Sequence, residues 1–291
     1  MDKNKIPSSK VFNIKHRVYF ILSVIIAAVF TFLQTDLLFL YYETDISLFS
    51  AATNQPGIMY PILAACALII ATSLIAFRKE TFPAYIVKPN ALTVFISAFC
   101  GFTLLVLFGY KMYDLIINLD AFTLSLHSGL KLAGNIAALP ASLYFLVIAL
   151  KKDPYKNPTA VLGFFVVIWA ILNLMGEYFN MNSPMNDPVR IIHQISYISI
   201  MLFYLYDAAY SAEIYRPVVY QTFGYTAIIF TAFSSVPAIV LNLFKLKTLS
   251  VDMMSCYVEF CLFLFVICRM ISVKKHPQDD IITEDTDIYE N

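Results

Sequence analysis

The chain has 291 residues, of which 59% are hydrophobic and only 14% are charged. A soluble protein of ordinary composition is about 25% charged, so most of this surface is not expected to face water. The formal net charge is zero, without the basic excess that a nucleic-acid-binding surface needs. Composition therefore argues against a soluble domain and a nucleic-acid partner, and it predicts a membrane protein in contact with the lipid bilayer.

Eight apolar segments reach the length of about 20 residues that a helix needs to cross the hydrocarbon core. In chain order they are 18–42, 58–77, 91–110, 129–150, 159–180, 191–211, 218–244 and 250–272. A spanning strand would need only about ten residues of alternating polarity, so an all-α polytopic helix bundle is predicted. The first segment is longer than the apolar part of a signal peptide, which has roughly 7–15 residues, and we interpret it as a retained helix.

The basic residues predict the direction of these crossings. If both termini are cytoplasmic, fifteen of the 20 Lys and Arg residues lie on the inner side and five on the outer side. The five are Lys111, Lys131, Arg190, Lys245 and Lys247. Because basic loops stay in the cytoplasm, we predict a basic cytoplasmic N-terminus (1–17), one transmembrane bundle (18–272) and an acidic, disordered cytoplasmic tail (273–291). The expected location is the cell membrane.

A carboxyl group within the eighth segment is the sharpest functional clue, because ionisable groups inside a bilayer are costly and mark functional sites. Glu259 lies about ten residues into that segment, which is about 15 Å from its outer end by helical rise, near the midplane. Asp252 and Cys256 share one predicted helix face with it, at i, i+4 and i+7. At that depth we expect Glu259 to be neutral or paired with a cation.

Other segments add polar groups to the same outer half of the bundle. Asn173 and Glu177 form a stripe at i and i+4 in the fifth segment, and His193 begins the sixth. Further polar groups in this half are Gln34, Asp36 and Asn242. The functional interpretation is an outward-facing polar cavity for a small polar ligand or cation, with Glu259 or Glu177 taking up a proton. The alternative is that these groups only form interhelical hydrogen bonds.

Small residues recur at four-residue steps along the fourth predicted helix. They form two neighbouring rows: Gly129, Ala133, Ala137 and Ala141, and Gly134, Ala138 and Ser142. Such rows allow close approach of another helix. They predict close packing within the bundle or, as the alternative, a homo-oligomer.

The motifs of common enzymes do not occur in this sequence. It has no phosphate-binding GxxxxGK[ST] loop, no GxSxG nucleophile and no HExxH zinc motif. The five cysteines form no CxxC pair and are expected to be packing residues. We therefore predict no cofactor, no metal site and no catalytic residue.

Three functions remain open. The favoured one is a small-molecule or ion permease that uses the outer polar cavity. The first alternative is a sensor or accessory subunit that docks a partner through its acidic tail. The second is a lipid-modifying enzyme of the outer surface, which would use Glu177, His193 or Asp252.

Overall fold

A computed structural model describes most of the predicted bundle. The described residues are 8–43, 45, 48–49, 56–78, 85–86, 91–118, 125–151, 157–180, 184–212, 214, 216–247, 249 and 251–274. Residues 1–7 and the predicted tail beyond 274 lie outside them. The described helices are α1 (Ser8–Tyr41), α2 (Pro56–Phe77), α3 (Ala91–Ile117), α4 (Leu126–Leu150), α5 (Asn157–Tyr178), α6 (Pro188–Ser211), α7 (Pro217–Leu243) and α8 (Met253–Ile271).

All eight of these helices are long and apolar enough to cross a membrane. The prediction of an all-α bundle with eight candidate spans is therefore confirmed. The only strands among the described residues are two-residue pairs at the ends of helices. Antiparallel β1 (Tyr42–Glu43) and β2 (Leu48–Phe49) follow α1, and β3 (Tyr85–Ile86) pairs with β4 (Val273–Lys274) after α8.

Contacts between helix ends identify the two ends of the bundle. Near the start of α1, Lys15 Nζ donates a hydrogen bond to the carbonyl oxygen of Ala76 at the end of α2, at 3.1 Å. Near the end of α1, the carbonyl oxygen of Leu38 accepts from Lys247, which precedes α8, at 3.1 Å. We call the side where α1 begins and α8 ends the terminal side, and the other the distal side. The sequence predicts that the distal side is extracellular.

Helix ends differ from the predicted segments where charged or polar residues extend a helix beyond its apolar run. α1 begins at Ser8 because Phe12 and His16 are buried in the bundle, and the Phe12 ring packs edge-on against that of Phe77 at 5.6 Å. α4 begins at Leu126 because Ser125 and Ser128 form a capping box.

α7 occupies the centre of the bundle, packed against α1, α2, α6 and α8. α3 bridges α8 and α4, and α5 lies between α4 and α6. α6 and α8 therefore both flank α7, and many polar side chains of these three helices are buried. This arrangement brings together the groups described below.

The small residues of α4 face its two neighbours, α3 and α5. Gly134 and the three alanines Ala137, Ala138 and Ala141 are buried, whereas Gly129 and Ala133 are only partly buried. A Cβ atom on Gly134 would lie 3.3 Å from Asn173 Nδ2 in α5, while one on Gly129 would meet nothing within 4 Å. The buried members thus lie against helices of the same chain, and a homo-oligomer stays a prediction.

Candidate functional site

The carboxyl group of Glu259 is enclosed by protein, with 0% of the residue exposed. α8 begins at Met253 rather than at 250, because Asp252 occupies the N-cap position. Glu259 therefore lies about 9 Å from the start of α8 by helical rise. It is nearer to the distal end of its helix than the sequence indicates.

Each oxygen of this carboxyl group has partners on other helices. Oε1 lies 2.9 Å from Nδ1 of His193 in α6. Oε2 accepts hydrogen bonds from the Ser196 hydroxyl in α6 at 2.8 Å and from the Ser234 hydroxyl in α7 at 2.5 Å. We call His193, Ser196, Ser234 and Glu259 the distal cluster. It joins three helices through one carboxyl group, so any change in that group's charge acts on all three.

His193 completes the cluster as a base in direct contact with an acid. Only 4% of the residue is exposed, and its Nδ1 also lies 2.8 Å from the Ser234 hydroxyl oxygen. Its Nε2 lies 3.9 Å from Cys256 Sγ, one helical turn before Glu259. The pair forms an ion pair when His193 is protonated and a neutral hydrogen-bonded pair when the carboxyl group carries the proton. These two states hold the same number of protons, and both hold one more than a neutral His193 beside an ionised Glu259, so the cluster binds a proton when it leaves that third state.

A very small cavity adjoins the distal cluster. Its volume is about 10 Å³, and its polar lining comes from Gln34, His193 and Ser234. Gln34 is buried, and its Nε2 has no hydrogen-bond partner in the structure. A cavity of this size has room for about one water molecule, and a water oxygen would satisfy the Gln34 amide. A larger solute does not fit in this cavity in the present conformation.

Of the five predicted site residues, the structure joins Glu259 and His193. Asp252 lies at the distal end of α8, where its carboxylate forms a salt bridge with Lys111 at 2.9 Å and accepts from the Ser255 hydroxyl at 2.9 Å. Asn173 uses its amide within its own helix, donating to the carbonyl oxygen of Trp169 at 2.8 Å. Glu177 is half-buried near the distal end of α5.

Sequence reasoning missed Ser234, because a serine in an apolar helix usually bonds to its own backbone and carries no signal of its own. It placed Cys256 on the correct helix face, where the thiol lies beside His193. Gln34 was recognised as an outer-half polar residue, but its position beside His193 depends on how α1 packs against α7.

A second buried ionic group lies toward the terminal side. Asp207 of α6 accepts at Oδ1 from Arg269 Nε of α8 at 2.8 Å and from the Tyr220 hydroxyl of α7 at 2.9 Å. The Tyr144 hydroxyl of α4 donates to Oδ2. We call these four residues the terminal cluster. Sequence reasoning assigned Arg269 to the cytoplasmic flank, yet only 1% of the residue is exposed.

A metal centre has no support in the part of the chain that the structure describes. These residues contain no group of three or more His, Cys, Asp or Glu side chains that could hold a metal ion. The distal cluster offers one imidazole and one carboxyl group, which is fewer ligands than a structural or catalytic zinc ion needs.

Comparisons with known proteins add no identification. The chain matches no protein-family model, no curated protein and no solved structure.

Proposed function

We propose that this multi-pass protein is a proton-coupled permease for small polar solutes or ions, with the distal cluster as its proton-binding site. The observation that supports this most is the complete burial of Glu259 against His193, Ser196 and Ser234 on two other helices. Acidic and basic groups within membrane helices commonly belong to proton relays and ion pathways.

The size of the adjoining cavity favours a proton as the species bound at Glu259. The space beside His193 is about 10 Å³, which suits one water molecule and excludes an organic solute. A water there would bond to the Gln34 amide and lie next to His193 and Ser234. It would pass a proton through neutral His193 to the Glu259 carboxylate without any larger opening of the bundle.

Protonation of the cluster would also change how the helices are held. The Glu259 carboxylate accepts from one group of α7 and from two groups of α6. Hydrogen bonds to an ionised acceptor are roughly twice as strong as neutral ones. Neutralising Glu259 weakens all of these contacts together and frees α8 to move relative to α6 and α7. This links proton binding to the helix rearrangement that transport requires.

Proton binding is tested by difference infrared spectroscopy of the protein in lipid vesicles. A titration from alkaline to acidic pH should produce the C=O stretch of a protonated, buried carboxyl group. This band should be absent in Glu259→Gln and retained in Glu177→Gln, which makes the same substitution at a half-buried site in α5. A band that persists in Glu259→Gln would contradict the assignment of the proton site.

Transport is tested with the same three proteins on a solid-supported membrane. A panel of small cations, anions, sugars and amino acids is applied in turn, and charge movement is recorded. We expect at least one solute class to give currents in the native protein and in Glu177→Gln, and none in Glu259→Gln. Currents that do not depend on Glu259, or none from any class, would overturn the permease proposal.

A further inference from the structure

The terminal cluster contains a buried ion pair that joins α6 to α8, two of the helices that also form the distal cluster. Asp207 has 0% of its surface exposed and bonds to Arg269 at 2.8 Å and to Tyr220 at 2.9 Å. Tyr144 adds α4 through the second carboxylate oxygen. Four helices therefore meet at one carboxylate.

Burial of this pair is not explained by stability alone. Removing two charges from water costs several kcal/mol per ion, and well-packed apolar side chains in their place are often as stable or more stable. Charged side chains in membrane helices more often mark a working part of the bundle. An ion pair is able to separate and to re-form between the same two groups. An apolar contact re-forms with far less specificity for its partner.

The two clusters share α6, α7 and α8 and lie toward opposite ends of these helices. Glu259 and Arg269 are ten residues apart in α8, which is about 15 Å by helical rise. His193 and Asp207 are fourteen residues apart in α6, about 21 Å by the same rise. The distal cluster adjoins a water-sized cavity, so the two clusters differ in their surroundings as well as in position.

A layer of apolar side chains separates the clusters. Its members on α6 and α8 each have 0% of their surface exposed: Ile200, Phe203, Leu262, Phe265 and Val266. Rings pack across this layer, with the centroids of Tyr204 and Phe265 5.8 Å apart. Water that entered from the terminal side would have to pass the ion pair first and this layer second.

We propose that the terminal cluster is the gate that closes the terminal side of the bundle. Separation of Asp207 from Arg269 frees α6 from α8 at this level and gives water access to the apolar layer. Its place in a transport cycle rests on the proposed function, because a permease must open each side in turn while the other stays closed. The gate itself is a property of the fold that needs no solute to be observed.

The test measures access to Val266, which lies three residues from Arg269 on the side of the apolar layer. Val266→Cys serves as the reporter in vesicles that expose the terminal side to a sulfonated, membrane-impermeant maleimide. Peptide mass spectrometry quantifies labelling at this position and separates it from the native cysteines. The expected rate is low in the reporter protein alone and rises roughly tenfold when Asp207→Asn is added, which corresponds to about 1.4 kcal/mol.

Two further variants separate a gate from a simple structural contact. Asp207→Asn combined with Arg269→Gln leaves no unpaired charge, so it should fold while still lacking the ion pair. We expect it to label as fast as Asp207→Asn. Exchange of the two residues, Asp207→Arg with Arg269→Asp, should return the rate toward that of the reporter protein. Slow labelling of Val266→Cys in the protein with both Asp207→Asn and Arg269→Gln would overturn the gate.

Asp252→Asn is the matched control, because it removes the partly exposed salt bridge with Lys111 at the distal side and should leave labelling unchanged. Faster labelling in this control would mean general loosening and would overturn the proposal. The outcome is separable from that of the proposed function. If labelling is unchanged and the currents depend on Glu259, the gate alone is refuted. If labelling rises as expected and no current depends on Glu259, the permease alone is refuted.

Discussion

Nδ1 of His193 and Oε1 of Glu259 lie 2.9 Å apart although 66 residues separate them in the chain. The hydroxyl oxygen of Ser234 lies 2.8 Å from the same nitrogen and 2.5 Å from the other carboxylate oxygen. The three side chains form a closed triangle between α6, α7 and α8. The side that joins Ser234 to Glu259 gives a direct energetic test of the site.

Glu259→Ala should lower the stability of the bundle more than Glu259→Gln does. The alanine variant loses all three interhelical contacts of the carboxyl group. At roughly 0.6 kcal/mol for each contact, we expect a loss of about 2 kcal/mol in the free energy of unfolding. Glutamine keeps an oxygen acceptor and similar volume, so its loss should be smaller. Detergent titration in mixed micelles measures both, and equal losses would contradict the contact geometry.

Ser234→Ala should be coupled energetically to Glu259→Gln, because the two side chains are in direct contact. The double variant should lose less than the sum of the single losses, with a coupling of about 0.5–1 kcal/mol. Ser199→Ala is the matched control, since the Ser199 hydroxyl bonds only to the carbonyl oxygen of Ile195 in its own helix. Additive losses for the Ser234 pair, measured by the same titration, would refute the contact.

Gly101→Ala should destabilise the contact between α3 and α4. A Cβ atom at this position would lie 2.8 Å from Leu146 Cγ and 3.1 Å from the backbone oxygen of Ser142. Overpacking of this kind costs about 1–3 kcal/mol. Gly109→Ala, in the same helix, meets nothing within 4 Å and should be neutral or stabilising by up to about 1 kcal/mol. Thermal unfolding in detergent compares the two, and a similar loss in both would refute the predicted difference.

The predicted orientation is tested by cysteine labelling in intact cells. Leu246 is exposed on the distal side after α7, and Lys151 is exposed on the terminal side after α4. Leu246→Cys should react with an impermeant maleimide added outside, because the excess of basic residues predicts that the terminal side is cytoplasmic. Lys151→Cys should react only after the cells are permeabilised. The opposite pattern would reverse the topology.

The sequence alone predicts where the helices lie in the chain, but it does not predict which helices pack against each other. The apolar length of each segment depends only on local composition, so all eight helices were predicted. Glu259 and His193 were both predicted as polar groups of the outer half, yet their pairing depends on α6 and α8 packing against the same helix, α7. Asn173 and Glu177 are four residues apart on α5, as Asp252 and Cys256 are at the start of α8. The helix that carries them packs against α4 and α6, and spacing along one helix does not reveal such neighbours.

The terminal cluster was harder to predict for a related reason. Arg269 stands near the end of an apolar segment, where a basic residue usually reaches the membrane surface. Its burial follows from the position of Asp207 opposite it, and the spacing of residues along one helix contains no information about that. Tyr144 and Tyr220 carry no signal of their own in the sequence and become partners of a carboxylate only in the folded bundle.

The central position of α7 has a consequence for how the protein is made. Buried along this helix are side chains that lipid would solvate poorly: Gln221, Thr222, Thr226, Thr231, Ser234 and Ser235. Helices inserted one by one during synthesis reach their final contacts only after their neighbours are present. The contacts of α7 with α1, α2 and α6 are possible as soon as α7 is inserted, whereas its contacts with α8 form last. A chain that stops before α8 would leave Ser234 without its carboxylate partner, and such a chain would be a natural target for membrane quality control.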